Sequence, residues 1–146
     1  MRFPEHVADF TRERVLQYDT VGNDVGIGYN REQPGQQLAA TVYVYTLPKR
    51  TFDDELADVK GSHPDVKVGF RQELILERGD QKADCNLAGL SFEQVFAHRY
   101  GPVSSYLLVC DRPPWRIKWR FTHRDQVVVA DMRELAATLT LQTKGK

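Results

Sequence analysis

The clearest pattern in the chain is the alternation from Trp115 to Thr122. Trp115, Ile117, Trp119 and Phe121 are apolar, and Arg116, Lys118, Arg120 and Thr122 between them are polar. Successive side chains of a β-strand point to opposite faces, so this stretch predicts a strand with one apolar and one basic face. Both tryptophans of the protein lie on the apolar face, and each ring can bury about 150–250 Å². The strand is expected to form the spine of the core, with Trp115 and Trp119 both pointing inward beneath the terminal helix.

Weaker alternation predicts a strand from Phe10 to Tyr18 and another from Val25 to Arg31. The second places Val25, Ile27 and Tyr29 on one face and Gly26 and Gly28 on the other. A glycine face implies close approach by a neighbouring group. Without a third glycine and a following helix it is no phosphate loop. Leu38 to Leu47 is a third strand, rich in β-branched and aromatic residues from Ala40 to Thr46. Turn chemistry at Val21–Asp24 and Gln33–Gln36 joins the three into an antiparallel meander.

A second meander follows. A strand from about Gln72 to Arg78 and a polar loop from Gly79 to Asn86 precede it, and it consists of strands over Gly89–Tyr100 and Val103–Cys110, ending in the Trp115 strand. Gly101-Pro102 and Asp111–Pro114 supply its turns.

Two segments have a helical period. Thr51 reads as an N-cap, with Asp54 three residues on. Asp53, Asp54 and Glu55 crowd the first turn, where the helix dipole favours negative charge. Phe52, Leu56 and Val59 form the apolar face, and Gly61–Pro64 stops the helix. From Asp125 to Leu141, Val128, Met132, Leu135 and Leu139 recur at helical spacing. The chain is therefore expected to be one α+β domain over residues 1–146, an antiparallel sheet built from two meanders and packed with two helices.

Charge narrows the range of partners. Twenty Lys and Arg balance twenty Asp and Glu, and the pI is near 6.9. No global field draws such a chain to nucleic acid or to anionic lipid. No apolar run has the length of a transmembrane segment. Met1 to Asn30 lacks the apolar centre of a signal peptide. The expected location is cytoplasmic, or the periplasm or cell envelope if an export signal has been removed. Cys85 and Cys110 are expected to be free, partly buried thiols; the alternative is one disulfide in an oxidising compartment.

The basic face of the Trp115 strand is the main candidate for chemistry. Arg116, Lys118 and Arg120 are spaced about 6.8 Å apart, twice the strand rise. From Arg112 to Arg124 there are five Lys or Arg and no acid. The stripe is either a solvated sheet face or a docking groove for an acidic protein partner. A single-strand nucleic-acid groove needs exposed aromatics interleaved with the cations. Here the aromatics take the opposite face, so no nucleic-acid partner is expected. The acidic helix with Asp53, Asp54, Glu55 and Asp58 would neutralise the stripe if it lay over it. Tyr43 and Tyr45 share a strand face and could line a shallow binding surface. His6, His63, His98 and His123 form no ligand spacing, so no metal or cofactor is expected.

The order of elements resembles the PsbP-like α/β/α sandwich. The matching features are the tyrosine-rich Ala40–Thr46 strand, the Thr51 helix, the Gly101-Pro102 hairpin, and a basic-aromatic strand leading into a terminal helix. That group includes the extrinsic photosystem II protein, a Ran-binding nuclear import factor of similar fold, and short bacterial proteins of this layout. The resemblance implies helices on both sides of the sheet and, for the bacterial proteins, the cell envelope. It implies no activity and no residue roles. The functional expectation is a non-enzymatic binding or accessory domain, with Arg116, Lys118, Arg120, Tyr43 and Tyr45 as candidate binding residues. The alternative is a small-ligand carrier, or an enzyme with a site assembled from scattered residues. A deep cleft holding a perturbed ionisable group would favour that alternative.

Overall fold

The computed structural model describes residues 3–7, 10–17, 24–33, 36–46, 51–92, 103–123 and 129–141. The alternating segment forms β8 (Trp115–His123), and its two neighbours fix the rest of the sheet. On one side it pairs with β4 (Gln36–Thr46), on the other with β7 (Val103–Arg112). Beyond β4 lie β3 (Asp24–Gln33), β2 (Phe10–Gln17) and the two-residue β1 (His6–Val7). Beyond β7 lie β6 (Gln81–Phe92) and β5 (Lys67–Arg78). The eight strands described make one sheet in the order β1-β2-β3-β4-β8-β7-β6-β5, and every neighbouring pair is antiparallel.

The two helices pack on opposite faces of this sheet. Helix α2 (Val129–Thr140) covers the apolar face of β8. Met132, Leu135, Ala136 and Leu139 meet Val42, Val44, Leu108, Ile117, Trp119 and Phe121 in the larger core. Trp119 is fully buried and its indole Nε1 donates to Thr140 Oγ1 at 3.0 Å. Trp115 is only partly buried, against the edge of this core. The last turn of α2 has no basic residue of its own. Arg112 instead donates to the Thr140 carbonyl at 3.0 Å, and Arg78 to that of Thr138 at 3.4 Å. Cationic donors at a helix C-terminus satisfy its orphan carbonyls.

Helix α1 (Phe52–Ser62) begins with a complete capping box. Asp54 N–H donates to Thr51 Oγ1 at 3.2 Å, and Thr51 N–H donates to the Asp54 carboxylate at 2.9 Å. Phe52, Leu56 and Val59 pack on Ala88, Leu90, Leu107 and Val109, on the face opposite to α2.

Three expectations are corrected. Gly79–Asn86 is not a polar loop: Gly79 and Asp80 alone make a tight turn, and β6 begins at Gln81. Gly79 has φ +60°, which glycine adopts without the steric penalty of a Cβ. The polar residues of Gln81–Asn86 belong to a strand because Lys82 and Asp84 sit on exposed positions while Ala83 and Cys85 are buried. Asp111 and Arg112 continue β7, leaving only the cis Pro113–Pro114 as the turn. Finally, Cys85 and Cys110 are not free thiols. They lie directly opposite in β6 and β7, with Cα atoms 4.2 Å apart, and are joined as a disulfide. Sequence distance hid a cross-strand pair that the register of the hairpin creates. Of the other expected elements, residues 93–100 of the Gly89 strand, the Val21–Asn23 and Gly101-Pro102 turns, Pro48–Arg50 and residues 125–128 fall outside the described residues.

At the other end of the sheet Tyr29 ties down the lead-in segment. Its hydroxyl donates to the Pro4 carbonyl at 2.8 Å, while Arg12, directly opposite it, donates to the Phe3 carbonyl at 2.6 Å. Burial pushes the Tyr29 phenol up to about 12, partly opposed by the charge of Arg12. A raised pKa means that the folded state keeps a proton which the unfolded chain releases. The stability this contributes is complete below pH 10 and is lost as the pH rises to about 12. Ultraviolet titration of the native protein should therefore show a tyrosine ionising near pH 12, and Tyr29→Phe should remove that step. An unchanged curve in the variant would contradict the assignment.

Candidate functional site

The five residues singled out in the sequence come together. Tyr45 lies directly opposite Arg116 across β4 and β8, Tyr43 opposite Lys118, and Thr41 opposite Arg120. Directly opposed residues share a sheet face. This is the face that α1 covers, so the basic stripe meets the acidic helix.

Glu55 is the point of contact. It occupies the i+3 position of the α1 stripe that Phe52, Leu56 and Val59 otherwise make apolar, and it is 0% exposed. Arg116 Nη1 donates to its Oε2 at 3.3 Å, and the Tyr45 hydroxyl donates to the same oxygen. Lys118 Nζ lies 3.6 Å from Oε1. Arg116 also grips Asp111, its direct partner on β7, through two parallel bonds: Nε to Oδ1 at 2.7 Å and Nη2 to Oδ2 at 3.0 Å. The bidentate geometry suits guanidinium and not ammonium. The hydrogen bond to Asp111 raises the Arg116 pKa, and burial opposes it.

Two cations and two carboxylates thus cancel within one cluster, with Glu55 and Arg116 buried, Lys118 half-buried and Asp111 exposed at its rim. A charge removed from water needs such a partner, or burial costs several kcal/mol. The cluster fastens α1 to the sheet. Arg116 is 5% exposed and its guanidinium is committed to two acids of its own chain. It is therefore not an open docking residue, and the acid that meets the stripe is internal.

The remaining candidates lie nearer the surface. Lys118 is half-buried, with Nζ 5.2 Å from the centre of the Tyr43 ring and 5.8 Å from that of Tyr45. Both are cation–π distances. Arg120 is half-buried, and its Nε donates to the buried Ser105 hydroxyl at 3.4 Å. Burial lowers its pKa. Beside Tyr43 and Thr41, the next strand presents Gly26 and Gly28. A Cβ at Gly28 would meet nothing within 4 Å, so this half of the face has room above the backbone.

Sequence reasoning missed Asp111, which it placed in a turn, and it named Glu55 among four helix acids able to neutralise the stripe without singling it out. The available signal was that Glu55 falls at i+3 between Phe52 and Leu56, where an amphipathic stripe expects an apolar residue.

A small apolar cleft of about 30 Å³, open to solvent, lies between α2 and the sheet. Leu74, Leu76, Leu87, Leu108, Phe121 and Met132 are among the residues lining it. None of the groups with a shifted pKa, Tyr29, Arg116 or Arg120, faces it. Among the described residues no cluster of His, Cys, Asp or Glu could hold a metal ion, and no helix is long and apolar enough to cross a membrane. Comparison of the chain with protein-family models, curated proteins and solved structures finds no match.

Proposed function

We propose that the protein is a non-enzymatic binding or accessory domain of an oxidising compartment, the cell envelope above all. The observation that carries this reading is the separation of the cleft from the buried charge cluster: among the described residues Arg133 is the one charged side chain lining the cleft. The apolar cleft contains none of the shifted ionisable groups, and the densest polar cluster is spent on holding α1. A catalytic site would bring the two together. The Cys85–Cys110 bridge supports the compartment, since disulfides persist where thiols are not kept reduced. The placement of helices on opposite faces, with four strands in sequence order on each side of the β4–β8 junction, supports the PsbP-like α/β/α layout. The binding surface is the strip formed by Tyr43, Lys118 and Arg120 beside Gly26 and Gly28, and the partner is an acidic protein.

Lys118→Gln with Arg120→Gln, leaving Arg116 intact, tests the surface without removing the buried Arg116 cation or placing a second carboxylate beside Glu55. An envelope-fraction pull-down with the natural chain should capture partners that are lost at high salt, because exposed charges are screened over about 8 Å at physiological ionic strength. The double variant should capture none of them. Identical partners for both proteins, with the fold intact, would remove the surface. Acid-trapped alkylation in the same extract reads the compartment separately. It should find no free thiol on Cys85 or Cys110, whereas two alkylated cysteines would place the protein in a reducing compartment.

A further inference from the structure

We propose that the edge of β5 pairs with β5 of a second copy of this chain, antiparallel and centred on Gln72, to join two sheets into one. Strand β5 has twelve residues and among the described residues pairs only with β6, so among these its outer edge carries unpaired backbone donors and acceptors. The opposite edge of the sheet ends in β1, which has only two residues. The large hydrophobic residues exposed among those described are Phe70, at 43%, and Ile75, at 49%. Both lie on β5.

The sequence of β5 is self-complementary. A two-fold axis through Gln72 sets Arg71 opposite Glu73 of the second copy, and Glu73 opposite its Arg71. It also sets Phe70 opposite Leu74 twice. Arg71 and Glu73 share the α1 face, and Phe70 and Leu74 share the α2 face, as their partners on β6 show. Unlike charges and aromatic–aliphatic pairs directly opposed stabilise antiparallel strands. Moving the axis one residue either way opposes like charges: Arg71 meets Arg71, or Glu73 meets Glu73. Centring it on Leu74 opposes Arg71 and Glu77 but sets Phe70 against Arg78. The charge pattern thus selects Gln72.

Arg71 is already turned along this face. Its Nη1 lies 2.7 Å from Asp53 of α1, and its guanidinium stacks 5.3 Å from the Phe52 ring centre. Phe70 is held against Gly89, where a Cβ would come within 2.3 Å of its ring. Its ring centre lies 6.1 Å from that of Tyr106. Both side chains already have contacts within their own chain on the faces from which they would meet a partner. The irregularity between Val68 and Phe70 ends the regular stretch and limits pairing to Phe70 onward.

Sedimentation equilibrium of the natural chain should show a concentration-dependent dimer. Glu73→Arg should raise the dissociation constant about tenfold, because two attractive pairs become repulsive. Arg71→Glu combined with Glu73→Arg should restore the dimer, since the swap recreates both pairs; a merely unfolded variant would not be rescued. Gln72→Cys should form a covalent dimer on mild oxidation, as directly opposed strand residues lie within disulfide reach. A chain that stays monomeric at millimolar concentration overturns the proposal. So does a dimer indifferent to Glu73→Arg, or a cross-link obtained at residue 74 in place of residue 72.

Discussion

Replacing Arg116 with methionine is expected to lower the unfolding free energy by about 3–5 kcal/mol. The substitution leaves Glu55, wholly buried beneath α1, with only Lys118 and the Tyr45 hydroxyl among the partners described above. It also frees Asp111, which is exposed and can be hydrated at little cost. Glu55→Leu should cost less. Arg116 would keep its bidentate bond to Asp111, and Lys118 can reach solvent. The double variant should recover much of the loss, because a buried ion pair replaced by apolar groups of similar volume is often neutral. Urea denaturation of the natural chain and the three variants gives the coupling directly. A loss below about 1 kcal/mol for Arg116→Met would mean that the cluster does not hold α1 in place.

Trp119→Ala should be comparably severe, again about 3–5 kcal/mol. The ring is fully buried, stacks 5.4 Å from Phe121 in a near-parallel arrangement, and satisfies the buried Thr140 hydroxyl. Truncation leaves a cavity and removes the Thr140 partner. Trp119→Phe keeps most of the volume and loses the donor, so its cost should fall to about 1–3 kcal/mol. Trp115→Ala should be milder than Trp119→Ala, since Trp115 lies at the partly buried margin of the core. Equal losses at the two tryptophans would contradict the observed burial.

What was legible in the sequence depended on how local its cause was. The Thr51 cap, the alternation of β8 and the apolar stripe of α2 each arise from neighbours within a few residues, and each took its expected form. The acidic helix and the basic strand were both visible. Their meeting depends on which face α1 covers, which periodicity on its own does not determine. Two features needed the hairpin register. The pairing of Cys85 with Cys110 follows from the register of β6 with β7, and the grip of Arg116 on Asp111 from that of β7 with β8, which the Pro113–Pro114 turn closes. Reading Gln81–Asn86 as a loop removed the first register, and reading Asp111 as a turn residue removed the second. Strand β5 was seen only from about Gln72 because its burial is low along most of its length, so little apolar alternation remains to mark it.

The β4–β8 junction has a consequence for how the chain is made. Thr46 pairs with Trp115 and Leu38 with His123, so one half of the sheet is joined to the other by β8, the last in sequence of the described strands. During translation β1 to β4 emerge first, and β4 then has a bare edge with Val42 and Val44 awaiting their apolar neighbours. The native contacts of that edge form only after His123 has left the ribosome, and α2 follows last to seal them. Loop closure over such a separation is slow compared with hairpin formation. The nascent N-terminal half is thus a waiting template whose β4 edge stays open until β8 arrives.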